Sequence, residues 1–129
     1  MIKRKKYNSE LKSLRDGFVG RPCPSCSRVM TKASRTISHS ATYEHKKPLM
    51  IGGHHTRGNI TVICKGCNYA RNSFLQGCQN EFGLPDDKFW SLSIDWRANR
   101  KLLEKYYQKH FCILLEILKT GGLLEDPIL

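Results

Sequence analysis

Two pairs of cysteines constrain this chain more than any other feature: Cys23-Pro24-Ser25-Cys26 and Cys64-Lys65-Gly66-Cys67, separated by 37 residues. Two residues between cysteines make a tight knuckle whose thiolates face one ion, and four such thiolates fill the tetrahedral shell of a structural zinc. Gly66 lets the second knuckle turn without steric cost. A redox C-x2-C or packed free thiols are the alternatives, and two matched pairs in one small basic chain favour zinc over both. An ion with four sulfur ligands has no open position for water, so this zinc is expected to hold structure and do no chemistry. Cys78 falls outside the pattern, and Cys112 reads as an ordinary buried thiol beside an apolar stripe.

A length of 129 residues suits one domain, and 22 Lys plus Arg against 11 Asp plus Glu give a net charge of +11. That balance marks a polyanion binder, for which a membrane surface and a nucleic acid both qualify. Residues 17–72 carry nine basic side chains and one acidic one, whereas residues 73–129 carry seven and eight, so the polyanion is expected on the first 72 residues. The longest apolar stretch, Phe111 to Leu118, is interrupted by Glu116 and is far shorter than the ~20 residues a membrane span needs. The basic start Lys3-Arg4-Lys5-Lys6 is followed by Asn8, Ser9 and Glu10 instead of an apolar segment, unlike a secretory leader. The expectation is a cytoplasmic protein whose cysteines stay reduced.

Periodicity supplies the elements. Ser9 to Arg15 reads as a short helix broken by Gly17 and Gly20. Ala41–His45 reads as a strand ended by Pro48, and Ile60-Thr61-Val62-Ile63 as a second strand leading into Cys64. Lys46 to Asn59 reads as a long irregular loop, the kind that is usually functional. A helix is expected from Asn68 to about Gln76. From Arg97 to Lys119, apolar residues at three- and four-residue steps predict one amphipathic helix ended by Gly121-Gly122. This helix would pair two copies in a homodimer or wrap the rest of the chain. Trp90, Trp96, Tyr106 and Tyr107 read as packing residues before base-stacking ones, because their neighbours at helical spacing are Leu and Ile.

Between the cysteine pairs lie Tyr43-Glu44-His45-Lys46-Lys47-Pro48-Leu49, then Gly52-Gly53, then Gly58-Asn59 running through the second knuckle to Asn68-Tyr69-Ala70-Arg71. An acid-His pair at a strand end, a nearby Pro, a Gly-Gly loop, an Asn before the second strand and a knuckle followed by Asn and a basic residue together resemble the HNH endonuclease family. The resemblance covers roughly Cys23 to Asn72. It implies an α+β chain with a ββα-metal core: two antiparallel strands, a long loop and a helix, with a structural zinc and an added C-terminal helical region. The division it suggests is a basic arm with a short helix over 1–22, a catalytic core with zinc knuckles over 23–76, and a helical extension over 77–129. By position, His45 resembles the general base, Glu44 and Asn68 the ligands of a catalytic Mg²⁺ or Mn²⁺, and Asn59 the loop residue that orients the histidine. Arg71, with Lys46, Lys47 and Arg57, is expected to face nucleic-acid phosphate.

The residues support that chemistry independently. Phosphodiester hydrolysis needs a nucleophile made at neutral pH and a cation on the developing charge. Imidazole titrates near pH 6.5, so His45 suits proton removal from water, while Glu44 and Asn68 offer hard oxygens that suit Mg²⁺. His54 and His55 read as solvated loop histidines, with phosphate contact as the lesser reading, and Lys3-Arg4-Lys5-Lys6 as a contact to the DNA backbone. The resulting expectation is a metal-dependent endonuclease on double-stranded DNA, of phage or homing type, in a bacterial or phage-infected cell. A zinc-knuckle nucleic-acid-binding module without activity is the rival from another class, and a pure binder has no need of a base beside two oxygen ligands. An RNA-directed or colicin-like toxin is a further rival, with no visible secretion domain.

Overall fold

A computed structural model describes residues 2–124 of the chain. Strand β1 (Ala41–His45) and strand β2 (Ile60–Cys64) pair antiparallel, with Ala41 opposite Cys64, Tyr43 opposite Val62 and His45 opposite Ile60. The β-branched run of β2 buries Ile60, Val62, Ile63 and Cys64, as expected of residues that fill a pleated surface. Strand β1 has the bounds read from the sequence, β2 runs one residue further to take in Cys64, and Pro48 stands just past the end of β1.

Helix α2 (Lys65–Gly77) follows β2 directly and buries Cys67, Ala70, Arg71, Phe74 and Leu75, a stripe at three- and four-residue steps. It starts three residues before the expected Asn68 because the second knuckle is itself the first helical turn. Upstream, helix α1 (Ile2–Asp16) begins earlier than Ser9, buries Leu11 and sets the Arg15 guanidinium 5.2 Å over the Tyr43 ring of β1. The backbone contact expected of Lys3, Arg4, Lys5 and Lys6 concerns side chains outside the described ones. No helix of the described residues is long and apolar enough to cross a membrane.

The C-terminal region differs most from expectation. A π-helical turn (Cys78–Phe82) leads to helix α3 (Asp87–Ile94), capped by the Asp86 carboxylate, which accepts from the Lys88 amide at 3.1 Å. The single helix expected over Arg97–Lys119 is instead α4 (Arg100–Tyr106) and α5 (Gln108–Thr120), broken at Tyr107 with φ −137°. Tyr107 is neither proline nor glycine; its ring packs on Phe89 at 5.6 Å and its hydroxyl donates to Asp86, so contact with α3 overrides the helical preference. The apolar face of α5, Phe111, Leu114 and Leu118, is buried in the chain's own core, and α5 packs on α2. Of the alternatives for this face, wrapping the core is the one observed.

One hydrophobic cluster runs from Cys23 through Val62, Phe74, Trp90 and Trp96 to Leu123, continuing across residue 76. Phe74 of α2 is its hinge, 5.3 Å from Phe89 and 5.6 Å from Trp90. Trp90 and Trp96 are buried packing residues, whereas Tyr106 is exposed. Ser25 in the first knuckle is tied to the end of α3: its hydroxyl donates to the Ile94 carbonyl at 2.8 Å, and its carbonyl accepts from Trp96 Nε1 at 2.7 Å. Because Phe74 joins α2 to α3 without solvent contact, Phe74→Ala is expected to cost about 3–5 kcal/mol of stability, read from the denaturant midpoint.

Candidate active site and metal centre

The four knuckle cysteines are buried and their sulfurs lie within 4.8 Å of one another, with Cys26 and Cys64 Sγ 3.6 Å apart. A tetrahedral zinc with bonds of about 2.3 Å places neighbouring sulfurs about 3.8 Å apart, so the cluster has the dimensions of a metal site suited to zinc. Ser27 closes the first knuckle at φ 68°, donating its amide to the Cys23 carbonyl at 2.8 Å. Hydrogen bonding among the four sulfurs splits them: Cys23 holds Cys64 below the ordinary thiol range, at about 6, and lowers Cys26 as well, while Cys23 and Cys67 are themselves raised. Charge compensation comes from Arg28, a residue the sequence reading passed over. Its Nε donates to Cys26 Sγ at 3.3 Å and its Nη2 to Cys64 Sγ at 3.4 Å, and Nη2 also reaches Ser38 Oγ at 3.1 Å. Cys78 and Cys112 stand outside the cluster. Cys78 is buried, and burial raises its thiol to about 11; Cys112 is exposed, contrary to expectation, because in α5 it falls off the face that buries Phe111, Leu114 and Leu118.

At the end of β1, Glu44 and His45 diverge. Glu44 is 9 % exposed; its Oε2 accepts from Arg71 Nε at 2.9 Å, and its Oε1 accepts from the backbone amide of His45 at 2.9 Å. Burial pushes the Glu44 carboxyl above its ordinary range while Arg71 pulls it back. Arg71 was expected on phosphate, yet it is 4 % exposed and spent inside the protein. Besides Glu44 it donates to Ser93 Oγ at 2.6 Å and to the Lys46 carbonyl at 2.7 Å. The cause is helical register: in α2, residue 71 falls on the same face as Cys67, Ala70 and Phe74.

Asn68 sits one turn inside α2, where its Nδ2 donates to the Tyr43 carbonyl at 2.7 Å and to Thr42 Oγ1 at 3.2 Å, lashing the helix to β1. Asn59 ends a short 3₁₀ turn (Arg57–Asn59), and its side chain bonds only the loop backbone: Oδ1 accepts from the Lys47 amide, while Nδ2 donates to the Lys47 and His54 carbonyls, each at 2.9 Å. The imidazole of His45 is met by His55, Nε2 to Nδ1 at 2.8 Å. Burial, and then the His55 ring, hold His45 below its ordinary range. Reading His55 as a solvated loop residue missed this contact, which depends on the loop folding back on itself. Of the other expected phosphate contacts, Lys47 Nζ lies 3.1 Å from Asp87 Oδ2 and Arg57 4.0 Å from Glu10, both at the surface, and Lys46 is half-buried.

Residues 23–74 match the family model described as HNH endonuclease. This is a likeness of that part of the chain to HNH endonucleases. It spans both knuckles, β1, the loop, β2 and most of α2, which is the ββα core followed by α3–α5. No curated protein and no solved structure matches the chain.

The ββα core is expected to bind one zinc per chain by elemental analysis, and Cys64→Ser to lose the ion together with cooperative unfolding. Arg28→Met removes the cation that faces two of the four sulfurs. Extraction of zinc by a chromogenic chelator is expected to run roughly 10-fold faster than in wild type, the lower end of the usual effect of removing an outer partner.

Proposed function

We propose that this chain is a metal-dependent endonuclease that hydrolyses phosphodiester bonds of double-stranded DNA. The observation that carries the reading is the junction of β1 and α2. There a half-buried imidazole, His45, ends the strand that also holds Glu44, and Asn68 of α2 is bonded to the same strand two residues before His45. A module that only bound nucleic acid would gain nothing from a base on the strand that carries Glu44 and meets Asn68.

In this reading a water oxygen attacks phosphorus as its proton passes to a ring nitrogen of His45, the P–O ester bond breaks, and the leaving oxygen takes a proton from solvent. The depressed basicity of His45 keeps it neutral, the form a base requires. The oxygen donors suit a hard divalent cation. Glu44 Oε1 and Asn68 Oδ1 would hold Mg²⁺ or Mn²⁺, which when bound supplies positive charge to the phosphate oxygens. Arg71 holds Oε2 and so fixes the carboxylate, as outer partners commonly do for ligating carboxylates. The zinc is structural in this account: it pins the start of α2, and with it Asn68, to the first knuckle. A reducing compartment suits four thiolates. DNA is held by the basic surface of the first 72 residues, to which Lys46, Lys47 and Arg57 belong.

Supercoiled plasmid incubated with the protein is expected to convert to nicked or linear forms with Mg²⁺ and to stay supercoiled with EDTA. Plasmid bound but never cut would instead identify a binding module. His45→Ala should lower the cleavage rate by ~10²–10⁴-fold with DNA affinity and zinc content retained, and added Mg²⁺ should not rescue it. Asn68→Ala should shift half-maximal activity to higher Mg²⁺. Affinity for duplex DNA measured by fluorescence anisotropy should fall steeply with salt, because each neutralised phosphate releases condensed counterions.

A further inference from the structure

His45 and His55 stand ten residues apart in the chain, yet their rings meet at 2.8 Å, Nε2 to Nδ1, with centroids 5.1 Å apart. We propose that His55 is the residue that positions His45, and that Asn59 acts on His45 through it. The proposal rests on the nuclease reading of the same site. A neutral imidazole offers one N–H and one lone pair, and the partner of one nitrogen decides which nitrogen carries the proton. Here Nε2 of His45 is the nitrogen at His55. With Nε2–H donating to His55 Nδ1, the lone pair that accepts the proton of water is on Nδ1 of His45. After that transfer the Nε2–H···Nδ1 bond becomes charge-assisted, about twice as strong as a neutral one, so His55 favours the protonated base as it forms. A neutral imidazole does this without placing an anion beside the scissile phosphate, where a carboxylate would repel it.

The loop is built to hold His55 in place. Asn59 bonds both backbone groups of Lys47 and the carbonyl of His54, whose peptide unit leads into His55. The Lys46 amide donates to the Asn59 carbonyl at 2.8 Å, and the Gly53 amide to the Pro48 carbonyl at 3.0 Å. A side chain at Gly53 would drive its Cβ into the Lys47 carbonyl, so the loop backbones touch there and only glycine fits. Asn59 therefore reaches the base in two links: it fixes the peptide of His54, and the next residue fixes the ring of His45.

The test uses the full-length, zinc-loaded protein in single-turnover plasmid cleavage at saturating DNA, beside imidazole nitrogen NMR. His55→Ala and Asn59→Ala are each expected to slow cleavage roughly 10- to 100-fold, the range typical of removing a histidine's outer partner, with plasmid affinity unchanged. His55→Asn, which returns an acceptor near the position of Nδ1, is expected to recover most of the rate. The double variant His55→Ala/Asn59→Ala should be no slower than the slower single one, and His55→Ala should add nothing to His45→Ala. In the spectra, neutral His45 should be the Nε2–H tautomer in wild type and a mixture in His55→Ala. Wild-type rates in His55→Ala, no recovery in His55→Asn, or an unchanged tautomer would overturn the role of His55. Multiplying losses in the double variant would overturn the path from Asn59. If the wild-type protein itself fails to cut, the nuclease reading falls, and the tautomer of His45 in wild type and His55→Asn still decides the positioning on its own.

Discussion

Four cysteines drawn to one point close a loop of some 40 residues and set where everything else in the ββα core must lie. Cys23 and Cys26 stand on an irregular turn that has little apolar surface of its own, while Cys64 and Cys67 straddle the change from β2 to α2. Joining them fixes the start of α2, and α2 carries both Asn68 toward β1 and Phe74 toward the C-terminal helices. Ionised to hold a metal, the cluster would concentrate negative charge in a buried place, which would be costly without compensation. Arg28 supplies a cation to two of the sulfurs, and the Cys64 amide donates to Cys23 Sγ at 3.3 Å. The Trp96 and Arg97 bonds to the Ser25 carbonyl then tie the segment between α3 and α4 to the same knuckle.

A second buried centre, the Glu44–Arg71 pair, connects this scaffold to the candidate site. Burial opposes both charges, and removing either partner would strand the other, which typically costs 3–5 kcal/mol. What makes the pair tenable is that no donor is wasted: Arg71 meets Glu44, Ser93 and the Lys46 carbonyl, while the second Glu44 oxygen takes the His45 amide. Ser93 belongs to α3, so the C-terminal helices help hold the carboxylate beside His45. The helical region is part of the candidate site's support, and the hydrophobic cluster continues across residue 76.

The loop between the strands is the third level of order. It is irregular but closed, because Asn59 reproduces with its side chain the paired hydrogen bonds that a strand neighbour would make with Lys47. Rigidity gained this way costs no regular structure, and it leaves the histidines on the outside of the loop near the end of β1.

Residue spacing by itself determined the four-cysteine set, the first strand to the residue and the second to within one, the helix at the second knuckle and the candidate Glu44-His45 pair at the strand end. These features are short-range: a knuckle needs two intervening residues, a strand needs a β-branched run, and a helical stripe needs its period, all visible within a few positions. Only the tertiary structure decided that Arg71 faces inward, that Arg28 serves the sulfurs, that the C-terminal helix breaks at Tyr107 and that His55 meets His45. In each case the outcome depends on a partner distant in sequence: Ser93 for Arg71, Cys64 for Arg28, Phe89 for Tyr107 and the closed loop for His55. A charged residue at a helical position can serve phosphate or a buried carboxylate equally well by local rules. The choice between them is made by which face of the helix the rest of the chain covers, and no window of a few residues contains that information.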